Sequence, residues 1–166
     1  MRVREYRQED FEELWRLDRE CFPPPLAYSR AELTHYVQRR STRTMVAENS
    51  SGTISGFAVA ENLAMRSQPG NTERVVVGHI ITLDVRRHAR RRGIGALLMD
   101  TAEAWLCEAG CEAVYLETAI DNHNAIGFYK KRGYGVLRTV PRYYDNRLDA
   151  LVMGKRISRS DMRLRG

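Results

Sequence analysis

The sequence predicts a single α/β domain with a mixed central β-sheet and helices on both of its faces. Its 166 residues suit one domain, because single hydrophobic cores usually occupy about 100–200 residues. Helical and strand-like apolar spacings alternate along the chain in the order β-α-α-β-β-β-α-β-α-β-β. We expect the domain to span residues 1–157 and a basic, flexible tail to follow at residues 158–166.

Four helices are predicted from apolar residues that recur every three to four positions. The first should end before Pro23, and the second should begin at Ser29, which forms a capping box with Glu32. The third and fourth should end at Gly110 and Gly133, residues suited to left-handed helix termini. The expected helical ranges are 8–21, 29–39, 92–109 and 122–132.

Six further strands, after a first strand at the N-terminus, are predicted from short β-prone runs bounded by turn residues. The expected ranges are 43–48, 53–64, 75–85, 113–118, 134–140 and 148–155. The first two of these should form a hairpin, and residues 65–73 should form a surface loop. The run at 75–85 is apolar at nearly every position, which is typical of a strand buried on both faces.

Composition favours a soluble protein with an anionic partner. The net charge of +6 and the pI near 9.5 suit a nucleic acid, a ribosomal surface or a phosphorylated cofactor. No apolar run approaches the roughly 18 residues of a membrane span, and the N-terminus lacks the apolar core of a secretory signal. Cys21, Cys107 and Cys111 are too few for a disulfide scaffold, and no second Cys/His pair completes a zinc site. We therefore expect a cytoplasmic protein without a bound metal or a membrane partner.

The turn between the 75–85 strand and the following helix carries the pattern R-x-x-G-x-G, starting at Arg90. Gly93 and Gly95 allow the backbone to approach a ligand closely, and a helix N-terminus presents unpaired N–H groups with a partial positive charge. A pyrophosphate fits these features, although the spacing favours neither NAD nor ATP. A solvated basic loop is the alternative. Five arginines within seven residues also suit a nucleic-acid backbone, but no aromatic stacking positions accompany them, so we do not expect nucleic acid as the partner.

Motifs before and after this turn extend the pattern. They are Gly78-His79-Ile80-Ile81-Thr82-Leu83, Tyr115-Leu116-Glu117-Thr118, Asn122-His123-Asn124-Ala125-Ile126, Phe128-Tyr129-Lys130-Lys131-Arg132-Gly133-Tyr134, and Arg142-Tyr143-Tyr144 ahead of Asp149-Ala150. In order and spacing they resemble the GNAT superfamily of acetyltransferases over residues 79–134. Within it they are most similar to protein N-terminal acetyltransferases, including the bacterial ribosomal-protein-alanine (RimI-like) and archaeal alpha-amino enzymes. The resemblance implies a mostly antiparallel sheet and transfer of acetyl from acetyl-CoA to the N-terminal α-amine of a protein or peptide, with a ribosomal protein among the candidate substrates.

The resemblance also implies which residues hold acetyl-CoA. The backbone at the end of the 75–85 strand would pair with the pantetheine arm as an added strand does, and the N–H groups of the turn would bind the pyrophosphate. Asn122 would contact the cofactor nearer its thiol. The predicted cofactor-binding residues are Leu83, Asp84, Val85, Arg90, Arg91, Arg92, Gly93, Ile94, Gly95, Ala96, Asn122, Ala125 and Tyr129.

Glu117, His79 and Tyr129 are the predicted catalytic residues. At pH 7 an α-amino group is roughly 15% neutral and a lysine less than about 0.1%, so Glu117, directly or through a water, is a sufficient base for an N-terminal amine. His79 is a second candidate base beside Glu117 on the neighbouring strand. Tyr129 would protonate the departing thiolate of coenzyme A. The structural alternatives are an ion pair of Glu117 with an arginine, a core histidine and simple helix packing of Tyr129.

Aromatic residues are predicted to flank the peptide substrate, because rings with hydroxyl groups suit an extended main chain. They are Phe22, Pro23 and Tyr28 after the first helix, and Tyr143 and Tyr144 near the end of the chain. The last two are equally compatible with exposed strand positions. Acetylation of a small amine or a lysine on the same fold is an alternative function, and a basic RNA- or ribosome-binding module is a non-enzymatic one.

Overall fold

The computed structural model describes residues 1–66, 74–144 and 147–158. Most of the predicted loop at 65–73 and of the tail at 158–166 lies outside these residues. Within them the helices are α1 (Phe11–Cys21), α2 (Arg30–Gln38), α3 (Ile94–Glu108) and α4 (His123–Lys131). The strands are β1 (Arg2–Glu5), β2 (Thr42–Glu48), β3 (Ile54–Arg66), β4 (Arg74–Val85), β5 (Ala113–Ala119), β6 (Gly135–Tyr144) and β7 (Leu148–Arg156).

The seven strands form one sheet in the order β1-β2-β3-β4-β5-β7-β6. The pairs β1/β2, β2/β3, β5/β7 and β6/β7 are antiparallel, and β4 runs parallel to β5. The element order and the mixed, mostly antiparallel sheet are therefore as the sequence predicts.

The chain divides into two compact units. The first unit comprises Met1–Glu61 and Ile81–Trp105, and the second comprises Asn62–Ile80 and Leu106–Gly166. The single domain over residues 1–157 stays a prediction.

The first unit has a core between its helices and strands. Leu14 and Leu17 of α1 and Leu33 of α2 are fully buried with Phe57 and Val59 of β3. Burying each such side chain contributes about 1.5–3 kcal/mol to folding. The apolar stripe that predicted α1 is thus the face that the core covers.

Local sequence signals set the helix ends as expected. Ser29 Oγ accepts the Glu32 N–H at 3.2 Å and Glu32 Oε2 accepts the Ser29 N–H at 2.8 Å, so the capping box of α2 is confirmed. Gly110 and Gly133 follow α3 and α4 with φ values of +87° and +89°. A side chain would be strained at either position, which is why glycine ends both helices.

The core of the second unit includes Leu106, Val114, Leu116 and Met153, each at most 1% exposed. Gly78 of β4 lies so close to Leu106 that an added Cβ would be 2.6 Å from a leucine methyl carbon. The absent side chain at Gly78 therefore lets α3 pack directly against the strand that carries His79.

The prediction that β4 is buried on both faces is wrong. Gly78, Ile80, Thr82 and Asp84 are buried, but the residues between them are only half-buried. Successive side chains of a strand point to opposite faces, so one face of β4 is covered and the other is partly accessible. His79 lies on the accessible face. No helix of the described residues is both long enough and apolar enough to cross a membrane.

Candidate active site

The turn that follows β4 is held in place by Arg86. Its Nε donates to the Ile54 carbonyl at 2.9 Å, and its guanidinium forms ion pairs with Glu13 and Glu20 on α1, the latter at 2.8 Å. The Arg86 N–H donates to the Ser55 carbonyl at 3.0 Å. These contacts fix the point at which the chain leaves the sheet. Sequence reasoning missed this role, since the two glutamates are distant along the chain.

Backbone N–H groups without acceptors line the turn. Among the hydrogen bonds of the described residues, none has the N–H of residues 91–95 as donor, and the first helical bond at this end of α3 runs from the Leu97 N–H to the Gly93 carbonyl at 2.9 Å. Arg91 and Gly93 have φ values of +61° and +79°, so the chain reverses sharply just before the helix. A row of free donors at the N-terminus of a 15-residue helix fits a diphosphate group.

Arg90 differs from the other residues of this turn that are predicted to bind the cofactor. Its N–H donates to the Arg87 carbonyl at 3.3 Å, and its Nε donates to the Val85 carbonyl at 2.9 Å. Both groups thus stabilise the turn itself, and the free N–H groups begin one residue later. The predicted role of Ala96 rests on its position in the first turn of α3.

Leu83, Asp84 and Val85 form the end of β4, and the Asp84 side chain points into the first unit. Asp84 is completely buried, and burial raises its pKa well above the ordinary value, reinforced by the charge of Asp18. Its Oδ1 atom has no hydrogen-bond partner, and the Thr82 hydroxyl donates to its Oδ2 at 3.3 Å. Because the carboxyl is buried, only the backbone of Asp84 can make the predicted cofactor contact.

Three residues predicted to flank the peptide follow α1 in the first unit. Phe22 caps the helix, with its N–H donating to the Asp18 carbonyl at 2.9 Å, and Pro23 is exposed. The Tyr28 hydroxyl donates to the Ile81 carbonyl at 3.2 Å and its ring meets Tyr36 edge to face at 5.2 Å. Tyr28 is therefore tied to β4, and the peptide roles of this group stay predictions.

In the second unit, His79 and Glu117 form a hydrogen-bonded pair. His79 Nε2 lies 2.6 Å from Glu117 Oε2, and the two side chains are 19% and 18% exposed. The β4/β5 register pairs His79 with Tyr115, and the two rings stack in parallel at 4.4 Å. The expected proximity of the two candidate bases is confirmed, and Glu117 has a histidine partner where an arginine was the alternative. The stack and the hydrogen bond together fix the orientation of the imidazole.

Tyr144 belongs to the same unit as this pair. Burial is the main cause that raises its pKa, and the charges of Tyr143 and Glu117 raise it further. Its ring meets that of Tyr143 edge to face at 4.9 Å, and Tyr143 is 48% exposed. The structure therefore half-buries Tyr144 and leaves Tyr143 at the surface.

A bulge in β6 positions these tyrosines. Its pairing with β7 passes from Val140↔Ala150 directly to Tyr144↔Leu148, so three residues bulge out between them. Arg142 in this bulge has φ +51°, and its N–H donates to Asp149 Oδ1 at 2.8 Å. Sequence reasoning singled out both residues as part of a motif but missed the bulge and the hydrogen bond between them.

Asn122 and Tyr129 occupy α4. Asn122 is the N-cap residue, and its side-chain oxygen accepts the Ala125 N–H at 3.2 Å. Tyr129 is 8% exposed, with edge-to-face contacts to Phe128 at 5.2 Å and Tyr134 at 5.7 Å. Both predicted residues thus help to build the helix, and the cofactor-binding role of Asn122 and the catalytic role of Tyr129 stay predictions. No group of three His, Cys, Asp or Glu residues suited to a metal occurs among the described residues.

A turn with free N–H groups between a strand and a helix, on a seven-stranded mixed sheet, fits the class of coenzyme A-dependent acyltransferases. The model of the acetyltransferase (GNAT) family matches residues 9–134, and the chain belongs to this family. It is an acetyl-CoA-dependent N-acetyltransferase with the GNAT fold.

Relatives and solved structures agree with this assignment. An N-acetyltransferase of Methanocaldococcus jannaschii is 30% identical over 94% of this chain and 92% of its own length. The N-alpha-acetyltransferase daf-31 of Caenorhabditis elegans is 30% identical over 69% of this chain, a match that spans 60% of that protein. The crystal structure of Chaetomium thermophilum Naa20 in complex with a bisubstrate analogue superposes with a TM-score of 0.79 at 29% identity, covering 98% of this chain and 90% of that one.

Proposed function

We propose that this enzyme transfers acetyl from acetyl-CoA to the N-terminal α-amino group of a protein or peptide. The observation that carries the proposal is the pair formed by His79 Nε2 and Glu117 Oε2 at 2.6 Å on adjacent strands of the second unit. The names of relatives, among them the N-alpha-acetyltransferase daf-31, and the bisubstrate complex of Naa20 support the same substrate class.

His79 and Glu117 act as one proton-accepting unit. The carboxylate holds the imidazole in a fixed orientation, and either group can take the proton that the amine loses on attack. An imidazole and a carboxylate are weak bases, so they suit an amine that is already partly neutral at pH 7. An α-amine meets this condition several hundredfold better than a lysine does, on the order of the difference between their ordinary pKa values.

Two backbone segments of the first unit fit the cofactor. The free N–H groups of residues 91–95 would hold its diphosphate, and the β4 backbone from Leu83 to Val85 would pair with its pantetheine arm. Acetyl-CoA supplies the acetyl group as an activated thioester. Two further sets of contacts stay predictions. Cofactor contacts are predicted for Asn122 and Ala125, and peptide contacts for Phe22, Pro23 and Tyr28.

In the second unit we assign Tyr129 the role of proton donor to the leaving thiolate, because a phenol can act as a general acid for a thiolate. The half-buried Tyr144 and the exposed Tyr143 would contact the main chain of the peptide. We further propose action in the cytoplasm, because all three cysteines are free thiols. A ribosomal protein as the substrate stays a prediction.

Two synthetic peptides test the proposal. One has a free α-amine and no lysine, and the other has a blocked N-terminus and one lysine in the same sequence context. Thiol release from acetyl-CoA should be fast with the first and near background with the second. Equal turnover of both peptides would replace N-terminal acetylation by lysine acetylation, and rapid turnover of small amines alone would indicate a different acceptor.

A further inference from the structure

The net positive charge of this chain comes from its C-terminal part. Residues 130–166 hold eleven lysine and arginine residues against three acidic ones. Residues 1–129 hold sixteen against eighteen, so this longer part is slightly acidic. The net charge of +6 therefore comes entirely from the segment that includes β6, β7 and the end of α4.

Some arginines of this segment lack the carboxylate partners that several arginines of the first unit have. In the first unit Arg4, Arg39 and Arg86 form ion pairs with carboxylates. Among the residues that the structure describes, no ion pair involves Arg138, Arg142 or Arg147, and all three are exposed. These three residues belong to the β6–β7 hairpin, and we call them the hairpin arginines. Their charge is uncompensated within the described chain.

Of the hairpin arginines, Arg138 lies in line with the candidate base. The register pairs Glu117 with Val152 and Val152 with Arg138, so these three residues form one row across β5, β7 and β6. Neighbouring strands are about 4.8 Å apart, which puts the Arg138 Cα about 10 Å from that of Glu117. Arg142 precedes Tyr143 and Tyr144 in the bulge, and Arg147 lies just before β7.

We propose that the hairpin arginines select peptide substrates with acidic side chains at about the third to fifth positions. The inference rests on the proposed function and names the substrate class for that site. An extended peptide advances about 3.3 Å per residue, so a span of about 10 Å from the amine reaches its third or fourth residue. Carboxylates there complement the uncompensated guanidinium groups, which bind them with paired hydrogen bonds.

RNA is the competing occupant of a basic surface. Nucleic-acid binders combine a charged track with aromatic positions on which bases stack. On this hairpin Tyr143 is exposed and Tyr144 is half-buried, and the row of paired residues joins Arg138 to Glu117. The link of the basic strand pair to the candidate base therefore favours a peptide.

A peptide series tests the inference. Three peptides share a first and second residue and carry Asp, Asn or Lys at positions three to five. At low salt, kcat/KM should be about tenfold higher for the Asp peptide than for the Asn peptide, and lowest for the Lys peptide, since exposed charge contacts each contribute a factor of about two to five. The preference should shrink in 0.5 M salt because surface charges are screened.

Variants locate the effect. Arg138→Gln combined with Arg147→Gln should bring the Asp-to-Asn ratio close to one, whereas Arg40→Gln, an exposed arginine of the first unit, should keep the wild-type ratio. Equal kcat/KM for the Asp and Asn peptides, or a ratio that survives in the double variant, would overturn the inference. So would salt-sensitive binding of RNA to the hairpin arginines without any peptide preference. Turnover of the Asn peptide tests the proposed function separately, because failure there affects all three peptides.

Discussion

Replacing Asp18 by asparagine should stabilise the protein at neutral pH and change its stability little near pH 4. Asp18 on α1 is fully buried, and its Oδ1 atom has no hydrogen-bond partner. Its Oδ2 atom accepts the Tyr28 N–H at 2.7 Å, a bond that an asparagine oxygen preserves. Burial raises the pKa of Asp18 from 3.8 to about 6, so the folded protein holds this carboxyl unfavourably in its charged form.

The size of the effect follows from that pKa. Between pH 3.8 and 6 the folded state binds more protons at Asp18 than the unfolded state, so the free energy of unfolding falls as the pH rises. A difference of about two pKa units at 1.36 kcal/mol each gives a loss of about 3 kcal/mol above pH 6. The asparagine amide is left without an acceptor and offsets part of the gain. We therefore expect Asp18→Asn to add about 1–3 kcal/mol at pH 7.5.

Urea denaturation of both proteins at pH 4 and at pH 7.5 measures this difference. Glu108→Gln, a change at an exposed carboxylate at the end of α3, is the matched control and should alter neither curve. Equal or lower stability of Asp18→Asn at pH 7.5, or the same gain at both pH values, would refute the reasoning.

Three further substitutions probe the turn, the bulge and α4. Gly93→Ala should raise KM for acetyl-CoA about tenfold. Gly52→Ala should not, although Gly52 also has a positive φ and open space around it. Equal KM values in the two variants would show that the turn does not bind the cofactor. Asp149→Ala should raise KM for the peptide about fivefold, because the Arg142 N–H loses its acceptor. Asp149→Asn keeps an acceptor oxygen and should have a KM close to that of the wild type. Unchanged KM in Asp149→Ala would show that the bulge does not position the peptide. Tyr129→Phe should lower kcat about a hundredfold at constant KM for acetyl-CoA, and undiminished kcat would exclude its role as donor.

The sequence predicts the parts of this structure that depend on local chemistry. Ser29 and Glu32 mark the start of a helix because their side chains bond the adjacent backbone, and Gly110 and Gly133 mark helix ends because only glycine adopts their conformation without strain. The turn after β4 was likewise predictable from its glycines and its position between strand and helix.

Contacts between residues that are far apart along the chain were not predictable from the sequence. Asp18 looks like part of the polar face of α1, yet the fold buries it near Asp84, 66 residues further along the chain. Arg86 looks like one member of a basic run, yet it is tied to α1. The left-handed Arg142 depends on an aspartate in the next strand. Such features depend on which strands become neighbours, and apolar periodicity does not specify this.

The proton-accepting role of the His79–Glu117 pair is tested most directly by kcat/KM of Glu117→Gln with a free α-amine peptide at saturating acetyl-CoA. Glutamine keeps the size of the side chain and a hydrogen-bonding oxygen but removes the carboxylate charge. We expect a loss of at least about a hundredfold, with no loss in Glu112→Gln, a change at an exposed residue just before β5. Wild-type kcat/KM in Glu117→Gln would contradict the proposed chemistry of the pair.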